Sequence, residues 1–188
     1  ACVKCHVTFA KNKERTSQGN RFDKNQWLYG VDCERCHRPA EKHVTFHKNN
    51  PKVKIPKYIM KLNELSRQQR LDACAQCHSG LRDNILKGNA FSFLTGDRLD
   101  DHAQNFNREK PNTPLDVHGN QYGLLTKSVC FQKTETMDCA TCHDPHKNQR
   151  ENKAFFNQKC MECHSDGAII CKGEAADISH KENNCIFS

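Results

Sequence analysis

Five times along this 188-residue chain, two cysteines separated by two residues are followed at once by histidine: CVKCH (2–6), CERCH (33–37), CAQCH (74–78), CATCH (139–143) and CMECH (160–164). Ten of the 13 cysteines fall in these pentads, leaving Cys130, Cys171 and Cys185. Zinc ribbons also use paired cysteines at this spacing, but they do not require a histidine directly after the second one. Histidine makes up 11 of 188 residues, so five such placements by chance have odds on the order of one in a million. The repeated pentad therefore points to covalent haem c, with five expected.

The chemistry explains the spacing. Two cysteine sulfurs bond to the vinyl-derived carbons on the porphyrin edge, and the next imidazole reaches the iron from one face. Positions i, i+3 and i+4 share one side of a helix, so a single turn presents all three groups to one ring. The expected attachment residues are Cys2, Cys5, Cys33, Cys36, Cys74, Cys77, Cys139, Cys142, Cys160 and Cys163. The expected proximal ligands are His6, His37, His78, His143 and His164.

Six histidines remain for five open iron positions: His43, His47, His102, His118, His146 and His180. Methionine is the competing sixth ligand, but the chain has only Met60, Met137 and Met161, the last inside a CxxCH pentad. Bis-histidine ligation is the expectation. His146 lies three residues after His143, and three residues extend at most about 10 Å, too short to grip one iron from both faces. Pro145 stiffens the link further, so His146 should cap a neighbouring haem. Of His43 and His47, in EKHVTFH, only one is expected to ligate; His43 is favoured, with His47 solvated or facing a propionate. His102, His118 and His180 complete the distal candidates.

Composition agrees with a cofactor-filled interior. Only 36% of residues are hydrophobic, cysteines included, which is lean for an ordinary core of this length. No run approaches the roughly eighteen apolar residues of a membrane span. Ser66 with Gln69 predicts a capping box leading to Cys74, and Asn148 with Glu151 resembles one leading to Cys160. A third helix is expected over 121–131. No period-2 pattern marks a strand, and long loops such as 45–57 and 106–117 intervene. The expected fold is mainly α with long loops, a single domain over 1–188 in which about 38 residues wrap each haem and the haems form the core.

The net charge of +7 would normally raise nucleic acid or an anionic membrane as partners. Ten ionised propionates would turn it into about −3, and no basic stretch is studded with aromatics, so nucleic acid is not expected as a partner. Covalent haem c implies an oxidising, exported setting, periplasmic or extracellular. Cys130 and Cys171 then form a disulfide or stay as free thiols.

GVDCERCHRPAEKHV (30–44), DVHGNQYGLLTKSVCFQKTETMDCATCHDPH (116–146) and FNQKCMECH (156–164) resemble the multihaem cytochromes related to cytochrome c-554, hydroxylamine oxidoreductase and pentahaem nitrite reductase. The resemblance implies a mainly helical fold with haems in stacked and perpendicular pairs. It also implies that His43, His118 and His146 are distal ligands. Relatives often continue after NNCI into a further CxxCH, whereas NNCIFS ends here at Ser188. A sixth haem has been lost, or the sequence stops short of it. The first pentad, starting at residue 2, suggests a processed or incomplete N-terminus, and no signal peptide is left to read.

Three functions fit these residues. The first is an electron carrier with every iron capped, exchanging electrons with other redox proteins. The second is a reductase or oxidase for nitrogen oxyanions or hydroxylamine, which needs one open iron with acid–base groups beside it; the chain has no CxxCK pentad of the nitrite reductase kind. The third is a subunit of a larger redox complex or cytochrome filament. The carrier is the leading expectation, with no catalytic residue assigned.

Overall fold

The computed structural model describes residues 2–16, 19–80, 83–105 and 119–164. In chain order it has α1 (Cys2–His6), β1 (Val7–Thr16), β2 (Gly19–Tyr29), α2 (Cys33–His37), α3 (Glu41–Asn49), a 3-10 turn at Leu62–Glu64, α4 (Arg67–His78), β3 (Asp83–Ile85), α5 (Leu99–His102) and β4 (Ala103–Asn105). There follow α6 (Gln121–Lys127), α7 (Val129–Lys133), α8 (Cys139–Cys142) and α9 (Lys153–His164). Two compact units are present, Ala1–Thr136 and Met137–Ser188. Helices supply most of the regular structure, as expected.

Within the first unit, α4 is the organising element. Ser66 Oγ accepts the Gln69 N–H at 3.3 Å while the Ser66 N–H donates to Gln69 Oε1 at 3.0 Å, the expected capping box. One face of the helix is buried through Leu71, Asp72, Ala73, Ala75 and Gln76. Asp72 accepts from Gln68 Nε2 at 2.7 Å and from the Leu99 N–H at 3.1 Å, tying α4 to the start of α5. Ala75, Phe93 and Leu99 form a small apolar cluster, with Ala103 and Tyr122 against it. The strands β3 and β4 pair antiparallel on either side of α5 in sequence.

The helix expected over 121–131 is two helices. Asn120 caps α6 through a 2.9 Å bond from the Gly123 N–H. At Ser128 the backbone turns extended, its N–H returning to Leu125 O at 3.0 Å and its Oγ accepting the Phe131 N–H at 3.2 Å to start α7. A serine that stops one helix and caps the next divides the segment.

The absence of strands is corrected. β1 and β2 form an antiparallel hairpin of ten and eleven residues. Ala10 pairs with Trp27 and Asn12 with Phe22, so two steps along β1 correspond to five along β2. The extra residues form a bulge held by the Asn25 N–H donating to Asp23 Oδ1 at 3.0 Å. Val7, Ala10 and Phe91 make the buried cluster under the hairpin, with Val3, Phe22 and Trp27 packed around it.

In the second unit, α9 does not start from Asn148 and Glu151. Asn148 Oδ1 accepts the Arg150 N–H at 3.1 Å in a turn, and Glu151 takes a positive φ of 66°. The cap is Asn152, whose Oδ1 accepts the Phe155 N–H at 3.1 Å.

Candidate functional site

All five pentads stand at the end of a helix. α1, α2, α4 and α9 each finish on the pentad histidine. In α8 His143 follows the last helical residue, its N–H bonded to Cys139 O at 3.0 Å. Two of the helices have caps that the sequence reading passed over. Asp32 Oδ1 accepts the Glu34 N–H at 2.9 Å, and Asp138 Oδ1 accepts the Ala140 N–H at 2.8 Å. An aspartate directly before the first cysteine was the available signal.

Pentads one, two and three come together in the first unit. Thr8, just after α1, donates to Gly30 O at 2.9 Å and accepts the Asp32 N–H at 2.8 Å, pinning the cap of α2 to the hairpin. Cys5 Sγ lies 3.9 Å from the Cys77 carbonyl oxygen. Arg35, buried in α2, donates from Nη2 to Lys4 O at 3.0 Å, and its guanidinium carbon is 5.3 Å from the Phe91 ring centre. Contact with Cys5, aided by the charges of Arg35 and Lys4, pulls the Cys77 thiol down to about 7 against the opposing effect of burial. Burial pushes the Cys36 thiol up. Among the described residues no cysteines are joined in a disulfide; Cys130 is exposed, and its suggested partner Cys171, with Cys185, lies outside the described residues.

Hydrogen bonds fix which ring nitrogen carries the proton in several histidines, because a carbonyl can only accept. His37 Nδ1 donates to Met60 O at 2.7 Å, so its lone pair is on Nε2. His43 Nδ1 donates to Lys57 O at 2.7 Å, with the same result. His47 Nδ1 bonds Val53 O at 3.1 Å, and its Nε2 accepts the Lys57 N–H at 3.4 Å. The two rings are 4.7 Å apart, yet the His47 lone pair already has a donor. His78 Nδ1 lies 3.3 Å from Gln121 Oε1.

The His102 side chain is 11% exposed. Nε2 is 3.5 Å from Asp97 Oδ2, and the ring meets Phe93 edge-on at 5.8 Å. Its Nδ1 is buried without a hydrogen-bond partner, a costly state for a polar atom. Asp97 also accepts from Arg38 Nη2 at 3.0 Å, directly after the second pentad. Arg38 takes a left-handed φ of 64° before Pro39, and this bond together with Arg38 Nε to Thr95 O at 2.5 Å holds it there.

In the second unit, the His143 ring lies 5.2 Å from Phe156. His146 is exposed on the turn after α8, its N–H donating to Asp144 Oδ1 at 3.0 Å; that bond, with Lys147 beside it, holds the Asp144 carboxyl below the usual range. His6 ends α1 and is exposed, and His164 ends α9 half-buried. His118 and His180 lie outside the described residues. Among the described residues no three His, Cys, Asp or Glu side chains gather as a metal-ion cluster.

Helix ends that carry two cysteines followed by a histidine match the attachment pattern of a c-type cytochrome. The family model described as cytochrome c554 and c-prime matches residues 1–38, the stretch with the first two pentads and the hairpin between them. That match supports a c-type cytochrome family, and with it covalently bound haem c and electron transfer with redox partners. No curated protein and no solved structure matches the chain. No helix among the described residues is long and apolar enough to cross a membrane.

Proposed function

We propose that the chain is an exported multihaem electron carrier, periplasmic or extracellular, that holds five haems c in one pentahaem domain and passes electrons between redox partners. The observation that carries this reading is the placement of all five Cys–Cys–His triplets at the C-terminal end of a helix, four finishing on the histidine and the fourth pentad with His143 as the residue just after α8. The ten pentad cysteines would form the thioethers, and His6, His37, His78, His143 and His164 would bind the irons. The haems would supply the one-electron chemistry, at low potential if both axial ligands are histidine.

The remaining histidines would close the opposite faces. His43 suits this role better than His47, since its Nδ1–H is anchored and its Nε2 lone pair is left for a metal. His102 would offer Nδ1, the buried atom that lacks a partner, while Asp97 holds Nε2. His146 would cap a haem other than that of His143, and His118 and His180 would complete the set. The haems would also cover apolar side chains such as Tyr29, 75% exposed, and Ile55, 65% exposed.

Two measurements on the purified protein test this. Its intact mass should exceed the peptide mass by five haems, and the reduced protein should bind little carbon monoxide because every iron is capped. A bare-peptide mass would refute the haem reading. Uptake of carbon monoxide by the unaltered protein would favour an enzyme with an open iron.

A further inference from the structure

One side chain inside the second pentad stands where the three attachment sites of the first unit meet. Arg35 is 9% exposed and belongs to α2, between Cys33 and Cys36. Its Nη2 bonds the carbonyl of Lys4, which lies between Cys2 and Cys5. The third pentad adjoins it, Cys77 O lying 3.9 Å from Cys5 Sγ, and the Arg35 guanidinium carbon is 5.3 Å from the Phe91 ring centre. Its Nε is buried with no acceptor, and among the described residues no carboxylate pairs with it. A buried guanidinium satisfied by one carbonyl and a ring face keeps its full charge in a poorly screened place.

We propose that Arg35 is a fixed positive charge shared by the first three haem attachment sites, and that it raises the reduction potentials of the haems held there. The inference rests on the haem reading above. Reducing a ferric haem adds one electron and no proton need follow, so a nearby cation lowers the energy of the ferrous product relative to the ferric reactant. Surface lysines act in the same direction but are screened by salt, whereas a buried charge is screened much less.

The test is a spectroelectrochemical titration of the intact holoprotein and of Arg35→Gln, Arg35→Met and Arg35→Lys, with haem content read from intact mass. The neutral variants should lower the ferrous-to-ferric ratio of at least one haem by about tenfold at fixed applied potential, equivalent to about 59 mV for one electron. That difference should persist at about 1 M salt, where the Debye length is about 3 Å. Arg35→Lys keeps the charge but not the planar fork, and should stay within about threefold of the parent. Fully loaded neutral variants that titrate like the parent would overturn the proposal, as would a lysine variant shifted as far as glutamine. If the neutral variants lose a haem, the lysine variant decides: retained potentials support the charge, and a tenfold fall or a lost haem assigns Arg35 to architecture alone. A bare-peptide mass for the parent would instead remove the haem reading itself.

Discussion

His43 Nδ1 lies 2.7 Å from the carbonyl oxygen of Lys57, and the N–H of the same residue points at His47 Nε2, 3.4 Å away. One backbone unit thus gives two neighbouring imidazoles opposite roles. A histidine that donates through Nδ1 keeps Nε2 for a metal, whereas one whose Nε2 accepts an amide proton must give up that bond to ligate.

His43→Ala should therefore open one iron, so that the reduced protein takes up about one equivalent of carbon monoxide. His47→Ala should leave every iron capped and uptake at the parental level. Binding by the second variant and not the first would reverse the assignment.

His102→Ala should open a second, separate iron, visible as high-spin signal in the resting protein. Asp97→Ala should weaken that ligation by roughly 10–100-fold, as loss of a group orienting a ligand does. Carbon monoxide affinity of the reduced variant would report it. A variant at Asp97 that matched the parent in both spin state and affinity would remove the carboxylate from that role.

Ser66→Ala removes one half of the cap on α4 and should cost about 1 kcal/mol. Leu71→Ala, at a position 1% exposed, should cost about 2–5 kcal/mol. Guanidinium denaturation followed by far-UV circular dichroism should place the midpoint of the second variant well below that of the first. Equal midpoints would show that α4 is held by its cap rather than by its buried face.

Asp23 should titrate below ordinary carboxylates. The Asn25 N–H bonded to it, and then Lys13 at 3.6 Å, lower its proton affinity. A depressed folded value means that this contribution to the hairpin is complete above the ordinary aspartate range and is lost as pH falls through the folded value. Carbon-13 NMR titration of the side-chain carboxyl should show the low value, and Lys13→Ala should move it upward.

The pentads and the α4 cap were legible in the sequence because each is a local pattern: Ser66 and Gln69 are three residues apart, and the cysteine–histidine triplets span five. The hairpin was not. Its register shifts between Val7 and Phe9, between Ala10 and Asn12, and between Asn12 and Glu14, so inward positions never keep a strict alternation. Ser17–Gln18 also lacks the Asn-Gly or Asp-Gly pair that marks a tight turn. Arg35 was invisible for a different reason. It looks like a solvated charge within CERCH until Lys4, 31 positions earlier, and Phe91 are folded against it.

Cys5 and Cys77 meet although 72 positions separate them. Under the haem reading, this closeness bears on the order of manufacture. Whatever joins porphyrin to polypeptide would have to reach each sulfur from outside, and both of these are half-buried once the segments meet. Loading would have to run ahead of closure, starting from the end that emerges first. The finished molecule would be a clasp shut over cargo already in place.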